Sequence, residues 1–299
     1  MANPIVAAIT GYVDNSRDEL LTKSMLGAKS AGLFRMMVDV KGKTNLHLMD
    51  VQPIFQNGSC GFSASGNTTF SNRELVPANI KVNLEFCDQN LLGTYAEHQV
   101  RIAAGKETLP FEEKWLGSVA EAIADGVEKM IYQGDSSNDG EFDGLLKTLA
   151  ADATVISGET ASAETAYAFL KEVAAKIPAA VKAPVVLVSI PLYREFMQNL
   201  VTANLYHYDP QNGANEYMLP GTDIKVIAVP GLNGTTGEYA IAADLSNIVF
   251  GCDAEGDEAT FDVWYSKDDQ IWKLACKFIS GVQYAYGSEI VFQHRLARA

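Results

Sequence analysis

Histidine and cysteine side chains are the residues of this chain best suited to metal binding or nucleophilic catalysis. Their spacing matches neither the CxxC pairs of zinc and redox sites nor the histidine pairs of metalloenzymes. The GxSxG, HExxH and Walker A motifs are also absent. A thiolate pair of Cys87 and His98 would form only if folding brought the two together. We therefore expect no catalytic residue, no cofactor and no metal site from His47, His98, His207, His294, Cys60, Cys87, Cys252 and Cys276.

An aspartate-rich segment, Asp135 to Gly140, has the spacing of the first half of a calcium-binding EF-hand loop. The closing glutamate of such a loop would stand six residues after the glycine, where this sequence has Leu146. We expect a structural turn here, with a weak ion site as the alternative. A glycine cluster at 231–237, GLNGTTG, has the wrong spacing for a dinucleotide fingerprint and predicts another turn.

The charge balance of the chain excludes some function classes. The formal net charge is −14, which argues against a protein whose main role is to grip nucleic-acid phosphates. The N-terminus has no basic region of the kind that begins a signal peptide. No stretch approaches the ~20 apolar residues of a membrane span. We expect a cytosolic chain with reduced thiols and no membrane partner.

The segment that leads into the aspartate-rich turn predicts one long helix from Pro110 to Gln133. Proline suits the first helical turn, and Gly134 is a natural helix end. The helix would span roughly 36 Å and needs a large structure to pack against. Its apolar residues recur at helical spacing and form one stripe, which consists of Trp115, Leu116, Val119, Ile123, Val127, Met130 and Ile131.

Residues 1–32 predict a short helix from about Arg17 to Lys29, capped by Asn15 or Ser16. One such helix cannot form a core alone, so it must pack on the body of the protein or on a neighbouring subunit. The apolar residues that it would bury are Leu20, Leu21, Met25 and Ala28.

Residues 33–87 are typical of β structure. Residues 79–86 alternate apolar and polar side chains and predict a half-buried strand. The preceding stretch, 52–77, is rich in Gly, Ser, Asn and Thr and has too few apolar residues for its own core. We expect a projecting β-hairpin ordered by another subunit, with a flexible surface loop as the alternative. Its aromatic residues are Phe55, Phe62 and Phe70.

The remainder of the chain predicts two kinds of structure. Residues 147–258 indicate an α/β unit, with a helix capped by Ser162, a buried strand at 184–190 closed by Pro191, a second helix near 192–204 and a strand at 224–229. Residues 259–299 return to β structure, because apolar side chains alternate from Trp272 to Phe278. We expect this segment to join the strand at 79–86 in one sheet.

The long helix and its exit resemble the spine helix of tailed-phage major capsid proteins with the Hong Kong 97-type fold. In that family a "GD … GLL" passage follows the helix, and here it is Gly134-Asp135 followed by Phe142-Asp143-Gly144-Leu145-Leu146. The resemblance implies an α+β fold in five parts. These are an N-terminal arm (1–32), an extended loop with flanking strands (33–87), a peripheral domain with the spine helix (88–146), an α/β axial domain (147–258) and return strands of the peripheral domain (259–299).

The resemblance also implies a function. Such a protein self-assembles, as hexamers and pentamers, into the icosahedral shell that encloses the double-stranded DNA of a tailed bacteriophage without sequence-specific binding. It is located in the virion after assembly in the host cytoplasm. Its implied partners are other copies, a separate scaffolding protein, a portal and decoration proteins. The residues we expect at assembly contacts are Leu20, Leu21, Phe55, Phe62, Phe70 and Arg73.

Two alternatives remain open from the sequence. An encapsulin, a nanocompartment shell with the same fold, would package a cargo enzyme instead of DNA. A cytosolic α/β enzyme would need a polar cluster in a pocket, which the sequence does not indicate. Some relatives cross-link subunits through a lysine in the extended loop, but this chain has no lysine between Leu46 and Ile80. We therefore do not expect covalent cross-linking.

Overall fold

The computed structural model describes residues 4–58, 66–87, 97–100, 111–159, 165–206, 215–253, 260–269 and 271–296. Within these residues the chain forms two β-sheets, a separate two-stranded hairpin and helices that pack on the sheets. No described helix is long and apolar enough to cross a membrane.

The first sheet combines strands from distant parts of the sequence. Its strands are β1 (Arg35–Met37), β4 (Ala78–Cys87), β10 (Ile248–Asp253), β11 (Thr260–Ser266) and β12 (Ile271–Tyr284). β12 pairs antiparallel with β4, β10 and β11, and β1 runs parallel to β10. The predicted strand at 79–86 and its predicted union with the C-terminal β segment are both confirmed.

Two N-terminal helices lie on this part of the molecule. Helix α1 (Pro4–Leu26) is longer than predicted, and non-helical dihedral angles at Ser16 (φ −121°, ψ 16°) divide it. The proposed cap at Asn15 is wrong, because its side-chain amide donates back to the Gly11 carbonyl oxygen at 2.8 Å. Helix α2 (Lys29–Leu33) follows α1.

The predicted long helix is present as α3 (Phe111–Gln133). It packs against α1, and its apolar stripe joins the hydrophobic core formed with β4 and β12. The helix ends at Gln133, as predicted. The next residue must be glycine, because a Cβ on Gly134 would lie 2.3 Å from the Phe142 carbonyl oxygen. Helix α4 (Leu145–Ala151) follows the aspartate-rich turn.

The second sheet has the strand order β5-β13-β9-β6-β8-β7. Helices α5 (Ala166–Ala175) and α6 (Ile190–Thr202) contribute to a second hydrophobic core with it. The strands are β5 (Ile156–Glu159), β6 (Pro184–Ser189), β7 (Glu216–Met218), β8 (Lys225–Val229), β9 (Gly237–Asp244) and β13 (Val291–Leu296).

Two local predictions in this unit need correction. Thr165 caps α5, since its side chain accepts a hydrogen bond from the Ala168 amide at 3.2 Å; Ser162 lies outside the described residues. Pro191 occupies the first turn of α6, which Ser189 caps by accepting from the Leu192 amide at 3.3 Å. The proline therefore begins a helix directly after the strand.

The predicted boundary between residues 258 and 259 does not separate the two sheets. β10, at 248–253, belongs to the first sheet because it pairs with β12. β13, at 291–296, belongs to the second sheet, where it lies between β5 and β9. The chain therefore passes from the first sheet to the second, returns to the first with β10, and enters the second again with β13.

The hairpin consists of β2 (Thr44–Pro53) and β3 (Gly66–Leu75). Its register runs from Thr44 opposite Leu75 to Pro53 opposite Gly66. Leu46 and Leu75, at the base, are buried, while most of the residues beyond them are exposed. The predicted projecting hairpin is thus present in the described part of the loop.

Candidate assembly surfaces

The hairpin exposes large apolar side chains beyond its base. Met49 and Phe70 are directly opposite in the register, and 56% and 74% of their surfaces are exposed. Phe55, next to the tip, is 95% exposed. The sequence has no charged residue between Asp50 and Arg73. Large exposed apolar side chains on an uncharged projection are typical of a surface that another protein covers.

Arg73 fixes the hairpin to the body of its own chain. Its guanidinium lies 2.7 Å from an Asp152 carboxylate oxygen and 4.3 Å from the centre of the Tyr284 ring. The Tyr284 hydroxyl donates to the same carboxylate at 2.9 Å. The charge and the planar face of Arg73 are thus used within its own chain, and its contact with a neighbour stays a prediction.

The pKa values of this cluster follow from its geometry. Burial alone would raise the pKa of Asp152, but hydrogen bonds from the Thr154 hydroxyl and amide, and the Arg73 guanidinium, outweigh burial and hold that pKa well below its usual range. Burial, together with the hydrogen bond to Asp152, raises the pKa of Tyr284 to about 12. The cluster therefore holds an ion pair between Arg73 and Asp152 at neutral pH.

Two further contacts secure the lower half of the hairpin. The Tyr286 hydroxyl donates to the Met49 carbonyl oxygen at 3.2 Å and lies 3.3 Å from the Met49 amide. The side-chain amide of Gln283 donates to the Glu74 carbonyl oxygen at 2.9 Å. The projecting part of the hairpin therefore begins beyond the pair of Met49 and Phe70.

The structure divides the remaining predicted contact residues into three groups. Leu20 and Leu21 are each 4% exposed and lie in the core of their own chain. The expectation that they contact a neighbour is corrected, since α1 already buries them. Phe55 and Phe70 are exposed, as a contact surface requires. Phe62 lies outside the described residues.

An apolar groove runs between α3 and β4. Its volume is about 450 Å³, and none of the described residues that line it is charged. Phe86 and Trp115 close one end as an edge-to-face pair, with ring centroids 4.9 Å apart. The stripe of α3 thus packs on the sheet only in part, and its outer side borders open space. The groove is a second apolar surface of the molecule.

A buried polar cluster that the sequence analysis missed joins α2 and α3 to the turn after β8. The Glu128 carboxyl group, 2% exposed, accepts from the Ser30 amide at 2.8 Å, from the Ser30 hydroxyl at 2.7 Å and from the Gly231 amide at 3.4 Å. The Ser30 hydroxyl also bonds the Tyr132 hydroxyl at 2.6 Å. A signal was present, because a glutamate three residues before Ile131 falls on the apolar face of the helix.

The glycine cluster at 231–237 forms the predicted turn and contacts the end of α3. The Gln133 side-chain amide donates to the carbonyl oxygens of Gly231 at 2.6 Å and Asn233 at 2.9 Å. The Asn233 side chain in turn accepts from the Ile190 amide at 3.0 Å, at the start of α6. The turn therefore joins the long helix to the second sheet and its helices.

The aspartate-rich segment forms a turn, as predicted. The Lys147 ammonium lies 2.7 Å from Asp135 and 2.5 Å from Asp143, where a cation would otherwise be needed. The hydrogen bond from Lys147, with those from Ser137, lowers the pKa of Asp135 to about 2. Within the part of the chain that the structure describes, no group of three His, Cys, Asp or Glu residues could hold a metal ion.

The candidate chemical residues are not brought together where the structure describes them. His47 bonds Asn72 across the hairpin at 2.8 Å, and His294 stacks on Tyr239 at 5.7 Å. Burial raises the pKa of the Cys252 thiol and raises that of Cys276 to about 12, so neither is an activated nucleophile. Outside this description lie Cys60, His207 and the side chain of Cys87.

An ion cluster in the second sheet was also missed. Arg295 on β13 is 4% exposed and bonds Glu195 on α6 at 2.6 Å and, through Nε, Glu238 on β9 at 2.6 Å. Glu195 also accepts from the Ala166 amide at 3.1 Å, at the start of α5. The cluster joins two strands and two helices, and no local sequence pattern indicates it.

The sequence matches no known protein family and no curated protein, but the structure resembles solved structures over almost its whole length. It matches a chain of the satellite phage P4 procapsid including size determination (Sid) protein at a TM-score of 0.63 and 8% identity, covering 98% of this chain and 97% of that one. It matches a chain of Gordonia phage Cozz at a TM-score of 0.60 and 14% identity, covering 90% of this chain and 86% of that one. It matches a chain from the capsid of the empty GTA particle at a TM-score of 0.58 and 11% identity, covering 92% of this chain and 90% of that one. The chain therefore has the Hong Kong 97-type fold of tailed-phage capsid proteins.

Proposed function

We propose that this chain is the major capsid protein of a tailed bacteriophage. Many copies would assemble, as hexamers and pentamers, into an icosahedral shell around double-stranded DNA. The observation that carries the proposal is the agreement of fold with a procapsid chain over 98% of this chain and 97% of that one. The role is structural, and no step of catalysis is involved.

The hairpin supports assembly of many copies. Its exposed side chains, Phe55 and Phe70 among them, are costly in water for an isolated molecule, and burial would recover about 25 cal/mol for each Å² removed from water. One such contact is modest, but a closed shell repeats it in every subunit, so its effect on assembly multiplies. A separate scaffolding protein, a portal and decoration proteins belong to the proposal as further partners.

The acidic composition is consistent with enclosing DNA. A shell built from subunits that each carry a net charge of −14 repels the phosphate backbone and allows the packaged DNA to move past it. Assembly takes place in the host cytoplasm and the mature protein is located in the virion. An encapsulin would give similar shells with a protein cargo, so the contents of purified particles distinguish the two functions.

The test compares two double variants in an assembly assay. Phe55→Ser with Phe70→Ser alters the hairpin, while Val38→Ser with Val201→Ser alters two other exposed apolar residues, whose side chains are 69% and 62% exposed. We expect shells from wild type and from the control by electron microscopy. The hairpin variant should stay folded but lose shells. A wild-type chain that remains monomeric under all assembly conditions, or enzyme cargo in its particles, would refute the proposed function.

A further inference from the structure

One face of the first sheet carries a group of lysines around an exposed tryptophan. Lys81 on β4 is directly opposite Lys277 on β12, and Trp264 on β11 is directly opposite Lys273 on β12. Residues opposite one another, or an even number of positions apart on a strand, point to the same side of a sheet. The four side chains therefore share one face. We call this surface, formed by Lys81, Lys273, Lys277 and Trp264, the lysine face.

Lys273 has its charge balanced within the chain. Its ammonium group lies 2.5 Å from an Asp269 carboxylate oxygen, and Glu85 is its direct cross-strand partner on β4. This arrangement is the usual one, since opposite charges across two strands stabilise a sheet. At the Lys273 end of the lysine face, positive and negative charges are therefore paired.

Lys81 and Lys277 break that pattern. Like charges directly opposite on neighbouring strands destabilise a sheet, and within the described residues neither ammonium group has a carboxylate in ion-pair contact. Both side chains are exposed, and with Thr260 they border a hollow of about 440 Å³. The chain contains 23 basic residues against 37 acidic ones. Two neighbouring lysines with no carboxylate partner among the described residues are a local cost that a partner can remove.

Trp264 gives the face an apolar anchor. Its side chain is 44% exposed, on the same side as the lysines. Tryptophan is enriched among the residues that contribute most to protein–protein binding, and lysine pairs at the margin add specificity and association rate. The combination favours a protein partner that offers carboxylates around an apolar contact.

We infer that the lysine face binds an acidic surface patch on a second copy of this chain. A second copy is the partner that the charges favour, because acidic residues dominate its surface. Contact between two different surfaces of identical subunits is also the geometry that builds rings and shells. Double-stranded DNA fits less well, since tight binding to phosphates uses roughly six to ten cationic contacts. The inference rests on the proposed shell assembly and specifies one of its contacts.

The experiment reverses both charges and measures assembly of the full chain. Lys81→Glu with Lys277→Glu is compared with Lys171→Glu with Lys182→Glu, which makes the same change in net charge on exposed lysines of the second unit. The protein concentration at which shells appear is measured by light scattering in about 0.1 M and about 1 M NaCl. Circular dichroism and the melting temperature show whether each variant is folded.

We expect the lysine-face variant to melt like wild type and to need roughly tenfold more protein to assemble at low salt. The difference should shrink at high salt, where the Debye length falls to about 3 Å. Trp264→Ala should also raise the concentration required, at both salt concentrations. It serves as a second variant in which no charge changes.

Several results would overturn the inference. Equal assembly of the lysine-face variant and wild type would show that no neighbour uses the face. An equal loss in the control variant would assign the effect to net charge alone. Normal shells that fail only to retain DNA would assign the face to nucleic acid. A lower melting temperature without loss of assembly would mean that acidic residues of the same chain balance the lysines. In each case shells of the wild-type chain would leave the proposed function intact.

Discussion

Glu128→Ala should destabilise the protein far more than the same substitution elsewhere on α3. The Glu128 carboxyl group is the acceptor for the Ser30 amide at 2.8 Å and the Ser30 hydroxyl at 2.7 Å, in a site that is 2% exposed. Alanine leaves the buried amides of Ser30 and Gly231 without that acceptor, while the Ser30 hydroxyl keeps its bond to Tyr132. An orphaned buried donor costs about 1–3 kcal/mol, with the longer Gly231 bond contributing the smaller share, and the cavity left by the side chain adds to this.

The expected loss is therefore about 2–5 kcal/mol, a large fraction of the 5–15 kcal/mol by which native proteins are typically stable. The matched control is Glu121→Ala, on the same helix. Glu121 is 68% exposed and pairs with Lys23 at 3.0 Å, and such surface pairs contribute about 0–1 kcal/mol. Because both variants exchange Glu for Ala on α3, differences in helix propensity cancel.

The assay is urea denaturation of the unassembled chain, followed by circular dichroism and by tryptophan fluorescence. A Ser30→Ala variant and the double variant complete a mutant cycle, in which the two changes should be less than additive because they share the same hydrogen bonds. If the free energies of unfolding of Glu128→Ala and Glu121→Ala differ by less than about 1 kcal/mol, the buried cluster does not hold α2 on α3, and the reasoning fails.

Two further predictions concern pH and covalent links. The folded pKa of Asp152 is lowered, so its carboxylate stabilises the fold fully above the unfolded value of about 3.9 and this contribution is lost as the pH falls toward the folded value. The stability difference between wild type and Asp152→Asn should therefore narrow between about pH 5 and pH 2, and a constant difference in acid titrations would contradict the ion pair. Particles boiled in denaturant and reductant should run as single chains of 32.3 kDa, since the loop has no lysine between Leu46 and Ile80. A ladder of larger species would reveal a covalent link.

Much of the fold could be predicted because the spacing of apolar residues within short segments indicates helices and strands. Alternation at 79–86 and from Trp272 to Phe278 predicted two strands of one sheet, and helical spacing with a terminal glycine predicted α3 almost to the residue. These elements bury one face each, so the period of their apolar residues records their environment.

Contacts between distant segments could not be predicted in this way. Arg73 stands in a polar loop, and nothing near it in the sequence indicates Asp152 as its partner. Leu20 and Leu21 were correctly recognised as apolar positions that need a partner, but periodicity does not reveal whether that partner is the same chain or another copy. The lysine pair of the first sheet emerged only from the register of β4 and β12.

The interlacing of the two sheets has a consequence for how the chain can fold and be divided. β13 completes the second sheet by pairing with β5 and β9, yet it follows every strand of the first sheet in the sequence. During synthesis the second sheet therefore stays unfinished until after the whole first sheet has emerged from the ribosome. No single cut of the backbone yields two pieces that each contain one complete sheet. A chain that ends before β13 leaves β5 and β9 without the strand that lies between them, so the second sheet cannot be completed.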